Sequence, residues 1–425
     1  MALEARLFDA GLDSVERLDA LTRLAAGAPR PASQGARPVV RGDVNSHIHS
    51  TYSFSPYTPA AAAWRAWQAG LATAGLMDHD AILGAGEFIR AGELLGLPVT
   101  VGTEVRASFA RTPLATRRIN NPDQKGIGYI TFHGVPHTRI EALDRWLRPI
   151  RRARDERNRA MIQRLNQVTV SVSQELALDY ESDVLPLSMQ AKGGEVTERH
   201  LLYALSLRMI ALGDPLVFVE TLGLPLADSA RARLADAANP HRAYDLLGVL
   251  KSDLVERFYV DADEVECPPI AEVVAFAAAH EIIAAYPYLG DVGISVTGDK
   301  RTQTFEDPWL DELFEVLDAL GFGAITYMPS RNTRAQLERL RARALAFGLF
   351  EISGEDINQP RQPFVCEAMR DPWFAHLMQA AWALIGHEQA ATRETGAGFF
   401  STAARQAFPD LETRIAHYAE LGGFR

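Results

Sequence analysis

Cysteine is almost missing: Cys267 and Cys366 are the only two in 425 residues. A disulfide framework is therefore not expected, and a reducing cytoplasm is the expected location. Long apolar runs are missing too. The stretch VVAFAAAHEIIAAYPYLG is broken by His280, Glu281 and Pro287 and reads as a buried helix running into a strand. The N-terminal MALEARLFDAGLDSVERLDALTRL is charged and amphipathic, without the unbroken apolar core of a signal peptide. No membrane association is expected. The formal net charge is −11, with signs mixed and no long basic run. Double-stranded nucleic acid is thus not expected as a partner, whereas a small anion in a local basic pocket stays compatible. No nucleophile elbow, Walker loop or G-x-G-x-x-G element follows a strand, and no internal repeat is found.

What is present is a rhythm of short β-rich runs and helical patterns. The runs are Val44–His49, Ala72–Met77, Val99–Val105, Gly128–His133, Ile282–Tyr286, Gly323–Tyr327 and Leu349–Ser353. Helical patterns such as Pro59–Ala69, Ala85–Leu95, Pro308–Leu320 and Thr333–Phe347 lie between most of them. Such alternation predicts an α/β fold with parallel strands and crossover helices, closed into a barrel or left as an open sheet. The rhythm breaks over a polar, helical stretch containing RWLRPIRRARDERNRAMIQRLNQV and EVTERHLLYALSLRMIAL. The organisation expected is an N-terminal helical extension and the linker GAPRPASQGARP within 1–42, a first barrel part over 43–145, a helical insertion over 146–270, and a second barrel part with C-terminal helices over 271–425.

The polar residues collect at strand ends. In VNSHIHSTYSFSPYTP, His47 and His49 are two apart, so a strand points both to one face. Alone, that pair reads as two polar residues at a strand end. GLMDHD then places Asp78, His79 and Asp80 after the second run, and VGTEV places Glu104 after the third. YITFHGVPH puts His133 after the fourth, and EISGEDIN puts Asp356 and Asn358 after the seventh. Ends of parallel strands share one rim where active sites sit. Metal-ligand types recurring at so many ends point to a metal centre.

In the order HIHS, MDHD, GTEV, FHGV and SGEDIN, these motifs resemble the polymerase and histidinol phosphatase superfamily, over about 43–140 and 275–365. RNRAMIQRLN and VTERHLLYAL look more loosely like the insert of its branch of nucleoside 3′,5′-bisphosphate phosphatases and exoribonucleases. The resemblance implies a distorted seven-stranded (β/α) barrel whose rim holds up to three divalent ions, manganese, iron or zinc, for phosphoester hydrolysis. It places His47, His49, Glu104 and Asp356 on a first ion, with Glu104 bridging to a second held by His133. Three positions depart from the pattern: Tyr286 stands for a histidine of the second site, and Phe54 and Asn358 stand for an aspartate and a histidine of the third. Phenylalanine cannot ligate, a neutral amide is a poor ligand, and a phenol of pKa about 10 needs help to ionise. One site is complete, the second weakened and the third lost.

Asp78, His79 and Asp80, released from the third site, are then candidates for general acid or base, and Tyr286 for a pocket wall offering its hydroxyl. Basic candidates for substrate are Arg106, two residues beyond Glu104, Arg331 in YMPSRNT, and Arg199 with His200 in TERH, beside Asn358. Each has a bland alternative, since a charged helix face is usually solvated. Lys251, His241, His376, His387 and His417 read as ordinary helix residues, and Tyr52 and Tyr57 as mouth or packing. Three functions remain open. They are a metal-dependent hydrolase of a small phosphoester, the same machinery on a glycoside, ester or amide, and a degenerate barrel serving as a binding module. The sequence does not give the oligomeric state.

Overall fold

The computed structural model describes residues 3–28, 42–291 and 304–424. All seven expected strands form: β1 (Val44–Ile48), β2 (Thr73–His79), β3 (Val99–Ser108), β4 (Ile127–His133), β5 (Ile283–Pro287), β6 (Ala324–Tyr327) and β7 (Phe350–Ser353). They are hydrogen-bonded in sequence order. A parallel bridge between Ile48 and Ile357 joins the two edges, with His49 N donating to Ile357 O at 2.9 Å. The result is a mixed α/β protein built on a distorted, nearly closed barrel. Most of the linker, 29–41, lies outside the described residues.

One strand departs from the expectation of parallel pairing. β4 runs antiparallel to both β3 and β5, while the other neighbours are parallel. A parallel return needs a crossover, usually a helix, and none forms between β3 and β4. The chain turns back on itself instead. Phe109 N donates to Gly126 O at 2.7 Å, and the Asn120 amide brackets Tyr129, donating to its O at 2.9 Å and accepting from its N at 2.7 Å.

Helices Pro59–Gln68, Ala85–Leu95, Leu310–Leu320 and Arg334–Ala346 follow strands and cover the barrel. The first starts cleanly: Thr58 caps it by accepting from Ala61 N, and Pro59 takes the first helical position, where no donor is needed. The main core joins these faces to helix Ala375–Arg393. Between β4 and β5, helices Ile140–Thr169, Glu198–Leu212 and Arg242–Asp253 build a second core around Met161, Leu205 and Leu250. Phe54, from the loop after β1, is buried in that second core. No single described helix is long and apolar enough to cross a membrane.

The N-terminal helix Ser14–Gly27 is held to the barrel by a buried ion pair. Arg17 donates from Nε and Nη2 to the two Glu87 oxygens at 2.8 and 2.6 Å, and Glu87 also accepts Ala60 N at 3.1 Å. Removing one partner strands the other charge away from water. Glu87→Ala should lower stability to urea unfolding by about 3–5 kcal/mol; a loss under 1 kcal/mol would show that this pair does not anchor the helix.

Candidate metal centre

Strand pleating decides which side chains meet inside the barrel. His79 pairs with Glu104 and Met77 with Gly102, so these four share one face. On β1 the register slips between Asn45 and Ile48, which pairs with Leu76. This bulge turns Ile48 outward beside Leu76 and brings His47 and His49 to the inner face with His79. Beyond β7, the bridge at Ile357 leaves Asp356 and Asn358 on the same rim.

The inner residues converge. His49 Nε2 lies 3.1 Å from Asp356 Oδ1, His79 Nδ1 lies 3.1 Å from Glu104 Oε2, and His47 Nε2 is 3.9 Å from Glu104 Oε2. The ring centroids of His47 and His49 are 5.1 Å apart, and those of His49 and His79 are 4.6 Å apart. Two groups, His47/His49/Asp356 and His49/His79/Glu104, each bring their ligand atoms within 4.8 Å of one another. Since one imidazole lone pair serves one ion, the shared His49 ties both groups to one centre. Three imidazoles with two carboxylates suit manganese, iron or zinc.

The electrostatics fit a metal ligand set. Burial, ahead of the neighbouring histidines, lowers His47 to about 4, and burial with His49 and Arg154 holds His79 well below the usual range. Both are thus neutral near pH 7, the ligating form. Burial opposes charge on His49, but Asp356 and Glu104 outweigh it and raise its pKa. Burial likewise opposes Asp356, yet His49, His47 and Arg199 keep it well below the carboxylate range. His49 Nε2 is buried without a well-directed hydrogen bond. Asn358 Nδ2 donates to Asp356 Oδ1 at 2.6 Å, so it orients that carboxylate.

Other residues expected at the site are placed differently. His133 shares the inner face, because its neighbour Thr131 pairs with Glu104. Followed across the registers, it stands on the rung of Met77 and His49, opposite Ile283 at the start of β5. Neither of its ring nitrogens has a hydrogen bond among the described residues, and burial, then the neighbouring His47, lowers it to about 3. The same pairing puts Ala285 inside, so Tyr286 points out of the barrel. Its hydroxyl donates to Glu306 at 2.8 Å, and it walls no part of the cavity. Asp78, on the outer face of β2, accepts from Ser50 N, Ser50 Oγ and Ser53 Oγ at 2.7, 2.6 and 2.8 Å. Asp80 accepts from Arg154 Nη1 at 2.9 Å. The other Asp80 oxygen, Oδ1, is buried without a hydrogen bond among the described residues. Arg106 is spent on Glu266, within a buried network that includes Glu198. His200 caps its helix, its Nδ1 accepting from Thr197 N at 3.0 Å, and its ring meets Phe54 at 5.0 Å.

A cavity of about 500 Å³ opens above the ligand cluster, with His79, Glu104 and Asp356 in its lining. Arg118, Arg199, Lys251 and Arg331 also line it, with Tyr129 and Tyr259 as walls. Arg199 and Lys251 come from the inserted helices. Lys251, Arg118 and Tyr129 were not marked by the sequence. Tyr129 is inner because it pairs with Arg106 across the reversed strand, which no local pattern reveals. A smaller cavity of about 160 Å³, beside His387 and Glu281, includes none of these residues.

No family model and no curated protein matches the chain. Among solved structures, it is similar to one from Bifidobacterium adolescentis provisionally named a metal-dependent phosphoesterase. Identity is 19%, the TM-score is 0.50, and the match covers 82% of this chain and 98% of the other. An amidohydrolase from Chromobacterium violaceum, solved with sulfate and no metal, aligns at 16% identity and a TM-score of 0.48, covering 79% of this chain and 95% of the other. At such identity the first likeness speaks for the fold alone.

His200 makes a pH-dependent contribution that can be isolated. Burial, then Arg154, lowers it from 6.5 to about 3 in the folded chain. The unfolded chain therefore takes up the proton first. Stability is fully present above about pH 6.5 and falls by up to about 1.4 kcal/mol per pH unit down to about pH 3. His200→Gln keeps the acceptor that the capping box needs and removes the titration. Its urea-unfolding free energy should fall less between pH 7 and pH 5 than that of the wild type; equal slopes would exclude His200 as a source.

Proposed function

We propose that the chain is a metal-dependent hydrolase of a small phosphoester. One observation carries this reading: three imidazoles and two carboxylates converge at a cavity whose wall bears Arg118, Arg199, Lys251 and Arg331, beside Asp123, Glu198 and Glu256. Cationic side chains beside a metal-ligand set favour an anionic, phosphate-like group. The motif resemblance to the polymerase and histidinol phosphatase superfamily supports the same chemistry. Cys267 and Cys366, both free and buried, accord with a cytoplasmic setting.

His47, His49, His79, Glu104 and Asp356 would hold the ion, with Asn358 fixing Asp356. Once bound, a divalent ion supplies Lewis acidity toward a phosphoester oxygen and lowers the pKa of water. Arg331 is set for the anion by its Nε bond to Leu289 O at 3.0 Å. Arg199 and Lys251 bring positive charge from the insert side. The departures Phe54 and Tyr286 do not make the cavity less charged, since Phe54 packs in the second core and Tyr286 bonds Glu306. Neither lines the cavity.

Two measurements test this. Elemental analysis after reconstitution with manganese, iron or zinc should find close to one tightly held ion per chain. Asp356→Ala should lose it while keeping its circular dichroism. No ion in the wild type would leave only a binding-module role. On the best substrate from a phosphomonoester screen, Lys251→Ala should raise KM roughly tenfold with little change in kcat, as expected for loss of a charged contact made equally in ground and transition states. An unchanged KM would take Lys251 out of the binding site.

A further inference from the structure

The loop after β1 folds onto the metal side of the barrel through hydroxyl groups, and their hydrogens can all be assigned. Ser50 Oγ accepts from Tyr52 N at 3.2 Å, so its own proton goes to Asp78 Oδ2 at 2.6 Å. Asp78 Oδ1 accepts the Ser50 N–H at 2.7 Å, so it is an acceptor toward Ser53 Oγ as well, at 2.8 Å. Ser53 has one proton and gives it to Asp78. Toward His49 Nδ1, at 3.2 Å, the same oxygen can only accept. The proton on that side of the ring therefore belongs to His49 Nδ1.

We propose that Ser53, oriented by Asp78, is a positioning residue that holds His49 as its Nδ1–H tautomer and aims the Nε2 lone pair at the metal. This rests on the metal-centre reading above. Burial makes the relay consequential: Ser50, Ser53 and His49 are 0% exposed and Asp78 is 1%. Water cannot readily replace a lost hydroxyl there. With Nδ1 keeping its proton, Nε2 is the nitrogen left for an ion; it faces Asp356 at 3.1 Å, on the side where the other ligands gather. A carboxylate one hydroxyl away from a ligating histidine is an extended form of the usual carboxylate–histidine–metal arrangement.

The test compares Ser53→Ala with Ser50→Ala. Both remove one buried hydroxyl bonded to Asp78, but only the Ser53 hydroxyl is hydrogen-bonded to the His49 ring. Zinc affinity is measured on full-length protein by competition with a chromophoric chelator, alongside thermal melting. Ser53→Ala should weaken zinc binding about 10–100-fold, whereas Ser50→Ala stays near wild type. Equal affinity in Ser53→Ala and wild type, or an equal loss in both variants, would overturn the relay while leaving the metal centre standing. Wild-type protein that binds no zinc would overturn the metal centre and the relay together. Long-range ¹H–¹⁵N spectra of zinc-loaded wild type need no variant to fold: His49 protonated on Nδ1 supports the assignment, and protonation on Nε2 refutes it.

Discussion

Side-chain alternation along a curved sheet governs what can meet at this rim. A strand shows every second residue to the barrel interior, so a slip of one residue replaces all ligands by their neighbours. The register slip in β1 is such a case. It leaves Ile48 outside with Leu76 and sets His47 and His49 inside with His79 and Glu104. A bulge is a local irregularity, but here the donor set depends on it. The same rule removes Tyr286, whose neighbours Ala285 and Pro287 hold the inner positions.

Charge burial imposes the second constraint. Arg154 donates to Asp80 at 2.9 Å and to Glu198 at 2.7 Å, and Arg157 bonds Glu198 at 2.5 Å and Glu266 at 2.7 Å. Arg106 joins them through Glu266. Buried charges persist only when paired, and breaking one pair leaves the other uncompensated. The network therefore acts as a clamp between the long inserted helix, the start of helix Glu198–Leu212 and the turn after His79. Arg199, next to Glu198, reaches the cavity because that clamp fixes the helix start. Arg106, which looks in sequence like an anion binder, is here consumed in holding the helices between β4 and β5 to the barrel.

The parts legible in the sequence are those with local signals. Apolar β-rich runs between helical patterns gave all seven strands, and Ala85–Leu95 forms between the residues expected. The converging residues His47, His49, Glu104 and Asp356 were marked by strand-end position together with the motif resemblance. The unread parts depend on pairing across the chain. Nothing near Gly128–His133 says that the strand runs backward; that follows from an eighteen-residue connection, 109–126, that forms no helix. His79 was read as released for proton transfer, but lies 3.1 Å from Glu104 within the ligand set. Lys251 sits on a helix with no polar pattern to single it out, and only the packing of the insert brings it to the cavity.

These constraints meet at the ligand cluster. Side-chain parity crowds three imidazoles and two carboxylates together, and burial then decides their charge. His47 and His79 are driven neutral, while His49 and Asp356 are held as an ion pair. A divalent cation would replace the proton on His49 Nε2, take the lone pairs of the neutral rings and compensate the carboxylates together. No single protonation pattern of the side chains does all three. The cavity beside the cluster carries both signs, with Arg118, Arg199, Lys251 and Arg331 next to Asp123, Glu198 and Glu256.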